Sequence, residues 1–408
     1  IMESWRQYSS HKTTIPMVLI ENGEIICFDL NERLRTLNES SNAKEINILF
    51  EKWLVQTEAM LNEGVVSDFF GNVKEKAAQL TGKAKQFFIE FMKDPYLTLG
   101  LQLWSFLQKI KKAYKVRVPL LRTKTNSYRL LFGENDGFPG CIADVYAKVL
   151  VVKLYSKIWI PYLKNILDSL IAVSGVETVV IRLSRKLQQD PSVSLTDGSV
   201  IYGTLEDETI VFKEHGICFS ANVIKGHKTG YFLDHRENRR RVGALSAQKT
   251  VLDVFSYAGG FSVHALANGA KQVTSLDISS QALALAKANG LLNKHKGSHK
   301  TISGDAFTEM QLLIDKGICF DIVVIDPPSF AKSKKEMAIA KKKYKQLAAL
   351  GEKLTAKKGI LVLASCSSRV AAEDFFTINT TTLNKQKRSY TTIKQTYHDI
   401  DHPVGFLE

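Results

Sequence analysis

The chain has 408 residues, 45% of them hydrophobic, enough for two or three domains with real cores. Lysine and arginine total 55 against 41 aspartates and glutamates, a formal charge of +14, and mean hydropathy is near zero. No run of about 18 uncharged apolar residues occurs, which argues against a membrane-spanning helix.

No basic-then-apolar leader opens the sequence. It starts on Ile1 rather than Met, which reads as a processed or partial chain. The positive surplus suits a polyanionic partner, since phosphate contacts dominate nucleic-acid affinity; the plain alternative is an ordinary basic protein. The five cysteines, Cys27, Cys141, Cys218, Cys319 and Cys366, are odd in number and widely spaced. Without a C-x-x-C pair, neither a metal site nor a disulfide framework is expected. A reducing, cytoplasmic setting fits best.

Residues 1–115 open with apolar alternation around Glu21-Asn22-Gly23, which predicts a hairpin. Ile46, Leu49, Phe50, Trp53 and Leu54 mark a helical stripe, and further helices are expected over Val73–Met92 and Leu99–Tyr114. This largely helical region carries no chemical motif and reads as structural or RNA-facing. Residues 116–213 read as a small α+β domain. Its strands are Tyr128–Phe132, Val149–Leu154 and Thr178–Leu183, its helix is Pro161–Val173, and a turn-rich loop runs from Gly133 to Gly140. Residues 214–408 alternate the two element types. Val251–Val254, Gln272–Leu276, Asp321–Ile325 and Ile360–Ala364 are apolar runs suited to strands buried on both faces. Helical patterns over Phe261–Asn268, Gln281–Asn293 and Glu336–Leu354 lie between them, so a mostly parallel, doubly wound Rossmann-like sheet is expected.

Five motifs carry chemistry. Asp253-Val254-Phe255-Ser256-Tyr257-Ala258-Gly259-Gly260 follows the first of these strands, with Asp277 at the next strand end, placed to bond a ribose diol. Gly259 and Gly260 remove side chains where a ligand would approach the backbone. A dinucleotide enzyme would use a similar layout, but Phe255 stands where the first glycine of G-x-G-x-x-G belongs. Gly304-Asp305-Ala306-Phe307 is either an adenine contact or a helix N-cap. Asp326-Pro327-Pro328-Ser329-Phe330 ends an apolar strand with a rigid acid beside an aromatic, an arrangement suited to a flipped base. Ser365-Cys366-Ser367 offers a nucleophile or a plain buried thiol. Before the first strand, Gly226 to Arg241 contains Lys228 and Thr229, which could meet a carboxylate. It also holds Arg236, Arg239, Arg240 and Arg241, which read as a phosphate contact or a solvated helix face. Lys332, Lys334, Lys335, Lys341, Lys342, Lys343 and Lys345 follow the Asp-Pro-Pro segment and read as an RNA-backbone contact.

Together these segments resemble the RlmI-type family of class I S-adenosylmethionine-dependent large-subunit rRNA cytosine methyltransferases. The similarity covers residues 117–408 and includes the ending His398-Asp399-Ile400-Asp401-His402-Pro403. The family's usual β-rich PUA domain is not evident in residues 1–115. The resemblance implies donor contacts at Lys228, Thr229, Asp253, Gly259, Asp277, Asp305 and Asp326, with Phe255, Tyr257, Ile278 and Ala306 on the same loops. It implies Cys366 and Asp326 as catalytic residues and RNA as partner, and it leaves open whether the chain is a monomer or a homodimer. The expected chemistry is attack of Cys366 on carbon 6 of cytosine, because carbon 5 alone is a poor nucleophile. A guanine-nitrogen methyltransferase, a non-catalytic RNA-binding assembly factor and, more distantly, an NAD-dependent oxidoreductase are the alternatives.

Overall fold

Short apolar runs that stop at Asp, Gly or Pro set the architecture. The computed structural model describes residues 16–21, 24–29, 95–331, 333–367 and 369–404. They fall in two compact units, 1–107 and 108–408. In the first, β1 (Pro16–Glu21) and β2 (Glu24–Asp29) pair antiparallel with Glu21 opposite Glu24, the register an Asn-Gly connection favours. The helix expected over Leu99–Tyr114 lies within α1 (Pro95–Leu121). The stripe around Trp53 and the helix over Val73–Met92 lie outside the described residues. Among the described residues, no helix is long and apolar enough to cross a membrane.

The second unit begins with a mixed sheet in chain order: β3 (Ser127–Phe132), β4 (Cys141–Tyr146), β5 (Val149–Leu154), β6 (Thr178–Leu183) and β7 (Val200–Tyr202). Helix α2 (Leu163–Ser174) carries the parallel crossover from β5 to β6, and the one-turn α3 (Arg185–Gln188) follows. A hairpin of β8 (Thr209–Glu214) and β9 (Ile217–Asn222) comes next. The domain division expected after residue 213 falls inside this hairpin. Phe212 and Phe219 of the hairpin share a core with Tyr146, Tyr231 and Val263, so the segments on both sides of that division pack together.

The parallel sheet has the order β12 (Ser298–Ser303), β11 (Gln272–Asp277), β10 (Thr250–Val254), β13 (Phe320–Ile325), β14 (Thr355–Leu363). Alternate residues face opposite layers. Leu252, Val254, Val323 and Ile325 pack on Met310 and Leu347; Val251, Ile322 and Val324 pack on Phe261 and Leu266. Burial on both faces is why these strands read as continuous apolar runs. The helices are α4 (Arg236–Ala244), α5 (Gly260–Ala267), α6 (Ser280–Leu291), α7 (Ala306–Asp315), α8 (Met337–Leu354) and α9 (Ala372–Asn384). Asn289 on α6 accepts from Ser220 N at 2.9 Å, and Asn293 just beyond accepts from Cys218 N at 2.8 Å, covering the edge of β9. Strand order reverses at β10, so a ligand crevice is expected beyond the carboxyl ends of β10 and its neighbours.

Candidate active site

Each strand of the parallel sheet delivers one motif to the same rim. β10 ends at Val254 and enters a loop where Phe255 and Tyr257 adopt φ of 63° and 46°, followed by Gly259 at 76°. Bulky residues rarely tolerate the left-handed region, which costs on the order of 1–3 kcal/mol each and is concentrated at functional sites. Backbone bonds tie neighbouring motifs together: Ser256 N donates to Leu276 O at 3.1 Å, Gly304 N to Asp277 O at 3.1 Å and Asp326 N to Val254 O at 3.3 Å. Ring contacts join the rest. Phe232 meets Tyr257 edge-on at 5.1 Å and carries Lys228 Nζ over its face at 4.3 Å. Phe330 sits 6.5 Å from Phe307 and 5.5 Å from Tyr344, whose hydroxyl reaches Ser365 Oγ at 2.9 Å.

Among the described residues, no lysine or arginine pairs with the rim carboxylates Asp253, Asp277 and Asp326. Asp277 accepts from Tyr257 N and Ser279 N, both at 2.9 Å, which fixes its orientation while leaving it partly exposed. Asp253 is buried; its Oδ2 accepts from Ser262 N at 2.9 Å and Ser262 Oγ at 2.7 Å, but its Oδ1 has no partner among the described residues. Burial, opposed by the Ser262 bonds and reinforced by the Asp326 and Asp277 charges, pushes Asp253 up to about 7. Asp326 is likewise raised, chiefly by burial; His235 opposes and Asp234 adds to the rise. His235 Nε2 lies 3.6 Å from Asp326 Oδ1.

Cys366 joins this group. Its Sγ lies 3.6 Å from Pro327 O, which puts the thiol beside Asp326. The residue keeps exposed surface, yet close packing around the sulfur, with the Asp326 and Asp234 charges, pushes the thiol up to about 11. Lys228 pulls the other way.

A strained loop at the strand-order reversal, a ring of acids and a neighbouring thiol make a site for a cationic donor. Residues 141–396 match the family of S-adenosylmethionine-dependent methyltransferases. A ribosomal RNA large subunit methyltransferase of Deinococcus radiodurans is 43% identical over 286 residues, 70% of each chain. A ribosomal RNA large subunit methyltransferase I of Escherichia coli is 34% identical, covering 75% of this chain and 77% of the relative. The chain belongs to this methyltransferase family, in its RlmI-type group. A solved methyltransferase from Streptococcus mutans superimposes with a TM-score of 0.64 at 25% identity, over 74% of this chain and 77% of that one. A second, complexed with SAH, the demethylated donor product, gives 0.63 at 24% and shares the fold.

The family's donor fits the rim. S-adenosylmethionine is a cation, and Asp253 Oδ1 and Ser256 Oγ are buried acceptors with no protein partner on the loop beneath it. A positive charge there would relieve the mutual repulsion of Asp253, Asp277 and Asp326.

Other expected residues also serve the fold of this methyltransferase. Thr229 is buried and its hydroxyl donates to Asp144 Oδ2 at 2.6 Å beside Tyr146 Oη at 3.0 Å, so its side chain joins the segment to the mixed sheet. Asp305 caps α7 through Thr308 N at 3.0 Å, the N-cap alternative noted for it. A Cβ on Gly259 would sit 2.8 Å from Ala286 Cβ, and one on Gly260 2.7 Å from Arg239 Cδ, so protein packing already demands these glycines. The arginine cluster divides into a buried half and a more exposed half. Arg239 is buried and pairs with Glu214 at 2.8 and 2.7 Å. Arg236 is buried against Asp401 and Asp399. Arg240 and Arg241 turn to Glu237. Sequence reading treated the arginines and the His398–Pro403 ending as separate signals. Their complementary charges were the available hint that the two segments meet.

Proposed function

We propose that this methyltransferase modifies carbon 5 of a cytosine in large-subunit ribosomal RNA, with Cys366 as nucleophile and Asp326 as the acid facing the base. The observation that carries this reading is the Cys366 sulfur 3.6 Å from Pro327 O, on the rim that also holds Asp326. The names of the relatives support RNA as substrate. So do Lys335, Lys342 and Lys345, exposed on or just before α8, near the Asp-Pro-Pro segment.

In this reading Asp253 and Ser256 hold the positive end of the donor, Asp277 beside the exposed Ile278 holds the ribose, and Asp305 with Ala306 borders the adenine. Phe255 and Tyr257 shape the loop beneath, and Lys228 stands at its outer wall. When bound, S-adenosylmethionine supplies an electrophilic methyl group on a sulfonium. Asp326 donates toward N3 of the pyrimidine while the Cys366 sulfur adds to carbon 6, which makes carbon 5 enamine-like and able to accept the methyl group. Loss of the carbon 5 proton to a base then expels the sulfur, and return of the N3 proton to Asp326 restores the neutral ring.

One observation favours a second reading. A thiol near 11 is ionised in roughly one molecule in ten thousand at pH 7, which suits a guanine-nitrogen methyltransferase in which Cys366 is a bystander. Nucleoside mass spectrometry of ribosomal RNA treated with the enzyme and labelled donor separates the two. Labelled 5-methylcytosine is expected; labelled methylguanosine alone replaces the first reading with the second.

A further inference from the structure

His235, the residue before α4, has a tautomer that its neighbours dictate. The chain of reasoning starts at Arg241, whose guanidinium only donates. Its Nη1 lies 3.4 Å from Asn238 Oδ1, and Thr396 Oγ1 donates to the same oxygen at 3.0 Å. The atom of Asn238 facing them is therefore the carbonyl oxygen, which turns the amide nitrogen toward His235 Nδ1 at 3.2 Å. An amide nitrogen cannot accept, so Nδ1 must offer a lone pair. In the neutral ring the proton then sits on Nε2. That N–H faces Asp326 Oδ1 at 3.6 Å, beyond hydrogen-bond length but within a small side-chain movement of it.

We propose that Arg241, Asn238 and His235 form a tautomer lock that presents an N–H, and never a lone pair, to Asp326, leaving the Asp326 proton for the ring nitrogen of the target base. This rests on Asp326 acting as the acid of the cytosine reaction. A lone pair on Nε2 would capture that proton instead. Burial and the Asp234 charge, opposed by His235, raise Asp326 and so favour its proton-carrying form. His235, Asn238 and Arg241 are positioning residues, since none is required to touch the base.

Asn238→Asp tests the lock with almost no change in shape. It places an acceptor opposite Nδ1, draws a proton onto that nitrogen and turns Nε2 toward Asp326 as a lone pair. Nitrogen-15 NMR of the donor-free protein with labelled histidine should show His235 protonated on Nε2 in the wild type and on Nδ1 in the variant. Turnover (kcat) should fall roughly 10- to 100-fold, while KM for RNA and Kd for S-adenosylmethionine stay within about twofold. His235→Gln, which can hold an amide N–H near the Nε2 position, should retain more turnover than His235→Leu. A wild-type ring protonated on Nδ1 overturns the lock. So does an unchanged kcat in Asn238→Asp once its tautomer has moved. A confirmed Nε2–H with methylguanosine as product overturns the cytosine reading and the proton's destination, but not the tautomer.

Discussion

The mixed sheet and the rim of the parallel sheet treat buried charge in opposite ways. In and around the mixed sheet, Arg129 grips Asp144 at 2.8 and 2.9 Å, Arg117 reaches Asp136 at 2.6 Å and Arg182 reaches Asp197 at 3.2 Å. These charges satisfy one another, which is what a low-dielectric interior requires. At the rim, Asp253 keeps one oxygen without a partner, and Asp326 meets His235 only at 3.6 Å. Burial raises both acids above the ordinary carboxylate range, so a positive charge from outside the chain would favour their ionised forms. Paired charge marks scaffold in this molecule, and in the proposed reading the unpaired acids mark where a cationic donor would sit.

The contrast can be broken most sharply at the thiol. Cys366→Ala should lower cytosine methylation by at least about 10⁴-fold, with donor affinity measured by calorimetry within about twofold of wild type. Full activity would end the covalent route and make Cys366 part of the scaffold. Next in size, Asp401→Ala strips the buried Arg236 of its two-pronged partner and leaves Asp399 alone beside it. It should cost about 3–5 kcal/mol in urea unfolding; a loss under 1 kcal/mol would mean that solvent reaches the pair. On the rim side, Asp253→Asn should weaken donor binding roughly tenfold, because it removes a charge that the donor's cation would meet.

The same substitution sharpens the comparison through pH. Asp253 has an ordinary value of 3.8 and sits near 7 in the folded chain. Below about 4 both folded and unfolded chains hold the proton; between there and about 7 only the folded chain does. Stability therefore falls as pH rises across that window and levels off above it. Asp253→Asn should flatten this slope in denaturant titrations. Donor binding near pH 6 should release protons from the wild type, seen as a buffer-dependent enthalpy, and fewer from the variant. The smallest effect belongs to the exposed Arg240–Glu237 pair, where Arg240→Ala should change unfolding free energy by less than about 0.5 kcal/mol.

Much of the rim was legible in the sequence because strand ends carry their own punctuation. Val254, Asp277 and Ile325 close strands at or within a residue of Asp253, Asp277 and Asp326, and the parallel sheet expected from the alternation of elements puts those ends on one edge. Cys366 was legible for the same reason. What escaped depends on pairs far apart in the chain. Nothing near Arg236 announces Asp401, 165 residues on, and nothing near Thr229 announces Asp144. Glycine was read as a need for space, and part of that need comes from Ala286 and Arg239 on other elements, which nothing near Gly259 and Gly260 announces. The tautomer of His235 was out of reach for the same reason, since it depends on Asn238 and on Thr396 from a distant segment.

Asp401 bonds to Arg236 and, 272 residues back, to the backbone N–H of Arg129 in β3. During synthesis those two sites wait for a partner that leaves the ribosome long after both strands and helices around them have been made. Arg236 must stay hydrated until then, so the segment beside the donor rim cannot settle early. Catalytic competence would arrive only once residue 401 has emerged, and a nascent chain still tethered upstream of residue 399 should neither bind the donor tightly nor modify the ribosomes around it.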